Sequence, residues 1–246
     1  MLKNQILDYK KNRQEHLNLR FCEKIEFFYS NFQRFKNIKS FFIFCQFVNL
    51  SRAKKKISTN IQKDLLIFYK DFEYSRLIHL EKIIAIKKPK VIVEFGSGLS
   101  TFFLLKTVEK LGIETKIISY EQDGEYAKKT SEFLLDYDKK KRVELRLRDV
   151  DYFIFNDSRF IAYKDPDYPK KIDFLYVDGP VIYEKSYNSN LVMAGDIIRL
   201  IHNNIFPEFI ALDKKYDLYF STKKLCKKFY KTKFDFIYKS FTYEKK

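Results

Sequence analysis

"VIVEFGSGLSTFF", Val91 to Phe103, joins a run of strand-forming residues to a Gly96-Ser97-Gly98 turn and then to Ser100-Thr101, a pair that can open a helix. The chain holds six glycines in 246 residues and places two of them here, just after Glu94. Glycine removes the side chains that would keep a ligand from the main chain, and a helix N-terminus offers free N–H groups. A plain tight turn after a strand can have the same sequence, so the neighbouring segments decide between the two.

Downstream, short β-branched runs alternate with helical spacing. After a helix over about 100–111 come KIISYE (116–121), a helix over about 124–137, VELRLRD (143–149) and IDFLYVD (172–178). A helix over about 188–204, FIALD (209–213), a helix over about 216–228 and FDFIYKSF (234–241) follow. Apolar strands separated by amphipathic helices predict an α/β fold, a doubly wound, mostly parallel sheet with helices on both faces. Such sheets bind ligands beyond the carboxyl ends of their strands. The first five strands carry an acidic residue at or beside that end: Glu94, Glu121, Asp149, Asp178 and Asp213. Glu121 lies 23 residues past Gly98, the position from which a carboxylate accepts hydrogen bonds from a ribose.

With these pieces in register, "EFGSGLST", "SYEQD", "LRDV" and "LYVDGP" resemble motifs I to IV of class I S-adenosylmethionine (SAM)-dependent methyltransferases, over roughly residues 85–213. The wording is closest to bacterial O-methyltransferase-like proteins of undefined substrate. The resemblance implies a Rossmann-like domain over 86–246 behind an N-terminal helical extension over 1–85. It places Glu94, Gly96, Ser97 and Gly98 around the methionine part of the cofactor, with Ser100 and Thr101 at the helix start beside them. Glu121 would hold the ribose, Gln122 the adenine, and Asp149 with Val150 the adenine amino group and ring. Asp178 would stand at the mouth of the methyl-transfer site. A dinucleotide site is weakened by Thr101, which occupies the third glycine position of G-x-G-x-x-G.

Methyl transfer from a sulfonium needs alignment of the acceptor and removal of its proton. Asp178 is the candidate base, although Asp-Gly-Pro is also good turn chemistry. Asp178 and Asp213 match two ligands of the metal-dependent catechol-type enzymes, but Lys214 stands where an Asn would complete the set, and a cation argues against a divalent metal there. His202 falls at the far end of its helix, and His16 and His79 lie in the helical flank. Arg159, Tyr163 and Tyr168, in the long link Val150–Lys171, and Tyr183, after "DGP", are candidates for the acceptor pocket. A short edge strand over 159–163 and a turn over 165–169 are the competing account of that link.

Composition adds the setting. Cys22, Cys45 and Cys226 are odd in number and far apart, which suggests neither a disulfide framework nor a metal knuckle and makes a reducing cytoplasm the default. Met1 to Arg20 is polar, and Phe41–Leu50 is too short to span a bilayer. Residues 1–89 carry 19 Lys and Arg against 8 Asp and Glu, residues 90–213 carry 18 against 21, and residues 214–246 carry 11 against 3. Basic flanks around a nearly neutral centre fit an anionic glycan or small-molecule acceptor, or peripheral contact with the inner face of a membrane. They also allow nucleic acid, but "DGPV" departs from the Asn-Pro-Pro-Tyr-like tetrapeptide of base methyltransferases. A nucleoside-binding module without catalysis is the other alternative. The helical spacing of residues 1–85, with Leu17, Phe21, Ile25 and Phe28 on one face, predicts three or four helices.

Overall fold

The computed structural model describes residues 74–156, 158–180, 193–213, 216–235 and 240–246, all within the larger of two compact units, 49–246. The expectations for the N-terminal helices, His16, the Phe41–Leu50 run, Tyr183 and Lys214 lie outside the described residues.

The first described helix, α1 (Tyr74–Lys87), buries Leu77, Leu80, Ile83 and Ile84, one face at helical spacing. It ends where Lys88 takes a left-handed φ of 45° and Pro89 forbids another turn. The 85/86 boundary expected between two domains falls inside this helix. Next come β1 (Val91–Phe95), α2 (Leu99–Lys110), β2 (Lys116–Glu121), α3 (Gly124–Leu135) and β3 (Val143–Leu147). The remainder is β4 (Val150–Phe155), β5 (Ser158–Tyr163), β6 (Phe174–Val177), β7 (Met193–Ala194), α4 (Asp196–His202), β8 (Phe209–Asp213), α5 (Tyr216–Cys226), β9 (Tyr230–Asp235) and β10 (Ser240–Lys245).

Seven strands form the main sheet in the order β3-β2-β1-β6-β8-β10-β9. β3, β2, β1, β6 and β8 are parallel neighbours, and β10 is antiparallel to both β8 and β9. The order in which strands are added therefore reverses between β1 and β6, a switch point of the kind beside which such sheets bind ligands, beyond the carboxyl ends of the strands. Val93, Phe95, Ile118, Tyr120, Leu175 and Val177 pack on one face. Ile92, Ile117, Phe174 and Tyr176 pack on the other, against α1 and α2. This period-two alternation puts Glu94, Ser119 and Glu121 on the α2 side. Among the described residues, no helix is long and apolar enough to cross a membrane.

Three segments differ from the sequence expectation. The described part of the helix expected over about 188–204 is confined to Asp196–His202, because Met193–Ala194 pairs with Phe160 and Ile161 as β7 and Gly195 separates that strand from the helix. FDFIYKSF is not one strand: β9 stops at Asp235 and β10 starts at Ser240. The exposed Lys231 and Lys233 alternate with the buried Tyr230 and the partly buried Thr232, an edge-strand pattern that the more apolar FDFIY run obscures. The 150–171 link follows the edge-strand account and extends it, with β4 and β5 forming an antiparallel hairpin that joins β7 in a separate sheet, β4-β5-β7. Asp165 and Asp167 then turn the chain with positive φ values of 44° and 47°.

Candidate active site at the β1–β2 edge

The acidic residues read from the sequence fall along five adjacent strand ends of one sheet edge. Their environments separate them. Asp149 is exposed, Asp178 is half-buried, and Glu94, Glu121 and Asp213 are buried.

Glu94 is the most constrained. It faces Ser119 across the β1–β2 ladder, and its Oε2 accepts from the Ser119 hydroxyl at 2.7 Å and the Thr101 hydroxyl at 2.5 Å. Its Oε1 is buried without a well-formed hydrogen bond, although the Ser100 hydroxyl lies near enough to act on the carboxyl. Complete burial pushes this carboxyl up to about 7, against the opposing pull of the Ser100, Thr101 and Ser119 hydroxyls. Thr101, the third residue of α2, accepts from the Gly98 N–H at 2.9 Å while donating to Glu94. One hydroxyl thus ties the glycine turn, the helix start and the strand together, as half of a capping box does.

Glu121 is saturated instead. Oε2 accepts from the Ser97 N–H (2.9 Å) and hydroxyl (3.0 Å), and Oε1 accepts from the N–H groups of Gln122 (2.9 Å) and Asp123 (3.0 Å). A carboxylate meeting four donors fixes Ser97 beside the end of β2. A ribose hydroxyl arriving here would have to share these oxygens or take the place of Ser97.

The two glycines of the turn have different reasons to be glycine. A Cβ on Gly96 would lie 2.6 Å from the Gly179 nitrogen, because the turns after β1 and β6 touch, main chain to main chain. Both Asp178 and Gly179 donate their N–H to the Phe95 carbonyl. Gly98, at φ 147°, would meet only the Tyr126 ring, 3.7 Å away. Gly98 is therefore the glycine that leaves the turn open, whereas Gly96 closes the switch point so that Asp178 stands beside the turn.

The rim is apolar. Tyr126 in the first turn of α3 is 57% exposed and Leu147 at the end of β3 is 52% exposed, with the half-buried Val150 three residues past Leu147. Sequence reasoning missed Ser119, Tyr126, Leu147 and Gly179. A signal existed for Ser119, a polar residue inside KIISYE that lies in register with the only polar residue of VIVEF.

The acceptor-side candidates do not form one group. Arg159 lies over the Tyr152 ring at 4.4 Å on the hairpin. Tyr163 is buried under the glycine turn, and Tyr168 donates from its hydroxyl to Asp196. Gln122 approaches the Tyr163 hydroxyl at 3.4 Å. His202 is exposed at the end of α4, with its ring 5.9 Å from Phe155. Asp178 and Asp213 follow paired positions of β6 and β8, but among the described residues no group of three His, Cys, Asp or Glu side chains could hold a metal.

No protein-family model matches the sequence, and no curated protein matches it significantly. Solved structures with a similar arrangement include a methyltransferase from Geobacter sulfurreducens at 15% identity, covering 79% of this chain and 89% of that one with a TM-score of 0.45. They also include an SAH-bound methyltransferase from Podospora anserina at 12% identity, 82% and 88% coverage and a TM-score of 0.48. A third is the O-methyltransferase TomG from Streptomyces achromogenes in complex with SAM, at 13% identity, 80% and 88% coverage and a TM-score of 0.43.

Proposed function

We propose that this chain is a SAM-dependent methyltransferase that acts on a hydroxyl of a glycan or small metabolite. The observation that carries the reading is the Glu94 carboxylate, fully buried beneath the glycine turn with Oε1 unsatisfied. Asp196 Oδ2 and Asp213 Oδ1 are likewise buried without a hydrogen bond, so it is the place of Glu94 beneath the glycine turn that singles it out; a cationic donor is the group that relieves such an oxygen. The methionine part of SAM carries an ammonium, so the residues present fit the cofactor. When bound, the sulfonium supplies an electrophilic methyl group.

The chain's own residues do the rest. Gly98 leaves main chain accessible, Glu121 holds Ser97 in place, and Tyr126 and Leu147 offer apolar surface to a base. Asp178, half-buried and placed beside the turn by the Gly96–Gly179 contact, takes the proton from the acceptor hydroxyl. The sheet weakens the dinucleotide reading further, because the order 3-2-1-4-5-6 of dinucleotide sheets is interrupted here by the antiparallel β10. The excess of basic residues in 1–89 and 214–246 suits an anionic acceptor and a cytoplasmic enzyme in peripheral contact with the membrane's inner face.

Incubating the protein with methyl-labelled SAM and extracts of glycans and small molecules, followed by mass spectrometry, tests the reading. Label in a hydroxylated product that disappears with Asp178→Asn supports it. SAM binding without label in any acceptor supports the non-catalytic module, and label in nucleic acid alone overturns the acceptor class.

A further inference from the structure

The glycine turn is clasped from both faces of the sheet. On the α2 side the clasp is made by Glu94, Thr101 and Glu121. On the opposite face it is a single phenol, and the chain assembles several buried groups to hold that phenol in place.

Tyr163 is the last residue of β5, in the three-stranded sheet, yet its fully buried side chain crosses to the main sheet. Its ring packs 5.7 Å from Phe95 and 5.5 Å from Tyr120, centroid to centroid, at the ends of β1 and β2. Its hydroxyl donates to the Tyr120 carbonyl at 3.0 Å and accepts from the Gly96 N–H at 3.1 Å. The Gly96 N–H also reaches the Tyr120 carbonyl at 2.9 Å, so three polar groups close on one another where the turn leaves the sheet. Burial and the neighbouring carboxylates Glu121, Asp196 and Glu94 raise the phenol well above its ordinary range, which keeps it a neutral donor.

The main chain of Tyr163 is fixed at both of its polar atoms. The N–H donates to Asp196 Oδ1 at 3.1 Å, and the carbonyl accepts from Arg199 at 2.7 Å, both from α4. The Tyr168 hydroxyl donates to the same Asp196 oxygen. Asp196 is 1% exposed, and a carboxylate is an expensive way to receive two hydrogen bonds inside a core.

From this geometry we propose that Tyr163, anchored by Asp196 and Arg199, is a positioning residue that pre-sets the glycine turn for the cofactor. It acts through the Gly96 main chain and touches no reacting atom. A turn held in its binding geometry loses less entropy when the ligand arrives, which appears as affinity. The inference rests on the methyltransferase reading only in the choice of SAM as the ligand.

Tyr163→Phe keeps the ring and removes the hydroxyl. Tyr230→Phe is the control, since it removes another buried tyrosine hydroxyl, one without a hydrogen-bond partner and located on β9. Calorimetric titration with SAM is expected to give an affinity about threefold to tenfold weaker for Tyr163→Phe, the loss of one ordinary buried hydrogen bond, and unchanged affinity for Tyr230→Phe. Hydrogen exchange over residues 96–98 without ligand is expected to be faster in Tyr163→Phe alone. Equal SAM affinity for wild type and Tyr163→Phe overturns the proposal. If wild type does not bind SAM, the methyltransferase reading has failed, and the exchange rates then decide the positioning role: unchanged exchange overturns it and faster exchange supports it.

Discussion

Glu94→Gln should change stability and binding in opposite directions. Glutamine has the shape of glutamate, and its amide oxygen can take the place of Oε2, accepting from Thr101 and Ser119. The amide nitrogen then sits where Oε1 lacks a well-formed hydrogen bond, so the Thr101 and Ser119 hydrogen bonds are kept, while any amide N–H left without an acceptor offsets part of the gain. What disappears is the cost of holding a charge in a fully buried position. The Glu94 carboxyl rises from an ordinary 4.5 to about 7, and at 1.36 kcal/mol per pH unit that cost is roughly 3 kcal/mol.

The sign follows from linkage. Between 4.5 and 7 the folded protein holds a proton that the unfolded chain has released, so this group's contribution to stability falls as pH rises through that window and is constant above it. Glu94→Gln should therefore be more stable than wild type at pH 8, by up to roughly 3 kcal/mol, and nearly equal to it at pH 5. SAM affinity should fall, because an amide N–H cannot accept from an ammonium. A charge-assisted hydrogen bond worth about 1.5–3 kcal/mol corresponds to roughly tenfold to more than a hundredfold. Urea unfolding at the two pH values and calorimetric titration with SAM read both effects. A variant that is less stable at pH 8, or that binds SAM like wild type, refutes the reasoning.

Glu121→Gln is the opposite case, since all four of its partners are donors; an amide nitrogen must face two of them, and the variant should lose roughly 2–4 kcal/mol in urea unfolding along with at least about tenfold in SAM affinity. Gly96→Ala forces a Cβ to within 2.6 Å of the Gly179 nitrogen at φ 90° and should unfold well below wild type by thermal melting, by about 3 kcal/mol or more, whereas Gly98→Ala carries the backbone strain of φ 147° without a main-chain clash and should cost less. Asp178→Asn should leave SAM affinity within about twofold of wild type in calorimetry and lower the methyl-transfer rate by roughly 10²–10⁴-fold, as loss of a general base does. Asp196, which burial pushes up to about 7, adds to the Glu94 effect, so wild-type stability from urea unfolding should decline as pH rises from about 4 to about 7 and level off above that.

Much of the sheet was legible because its cues are local. VIVEF, KIISYE and FIALD match β1, β2 and β8 at both ends, since each is a β-branched run closed by turn or acidic residues. The acidic residue repeated at strand ends marked five adjacent ends of one sheet edge for the same reason. What stayed hidden depends on contacts between distant residues. Gly96 reads as room for a ligand until Gly179, 83 residues later, is seen against it. Tyr163 reads as an acceptor-pocket residue because nothing in its neighbourhood tells that β5 leaves the main sheet and points its last side chain back. Asp196, at the start of a short helix, resembles an ordinary first-turn acid, and only the fold shows it holding Tyr163 and Tyr168.

The central claim is that the β1–β2 edge holds SAM through a buried carboxylate that waits for a cation. Calorimetric titration of the full chain with SAM at pH 6 and pH 8 tests it most directly. Saturable binding is expected that tightens from pH 6 to pH 8 as Glu94 loses its proton near 7, with a pH dependence that Glu94→Gln abolishes. Binding of a nicotinamide dinucleotide in place of SAM, or SAM binding that is indifferent both to pH and to Glu94→Gln, would contradict it.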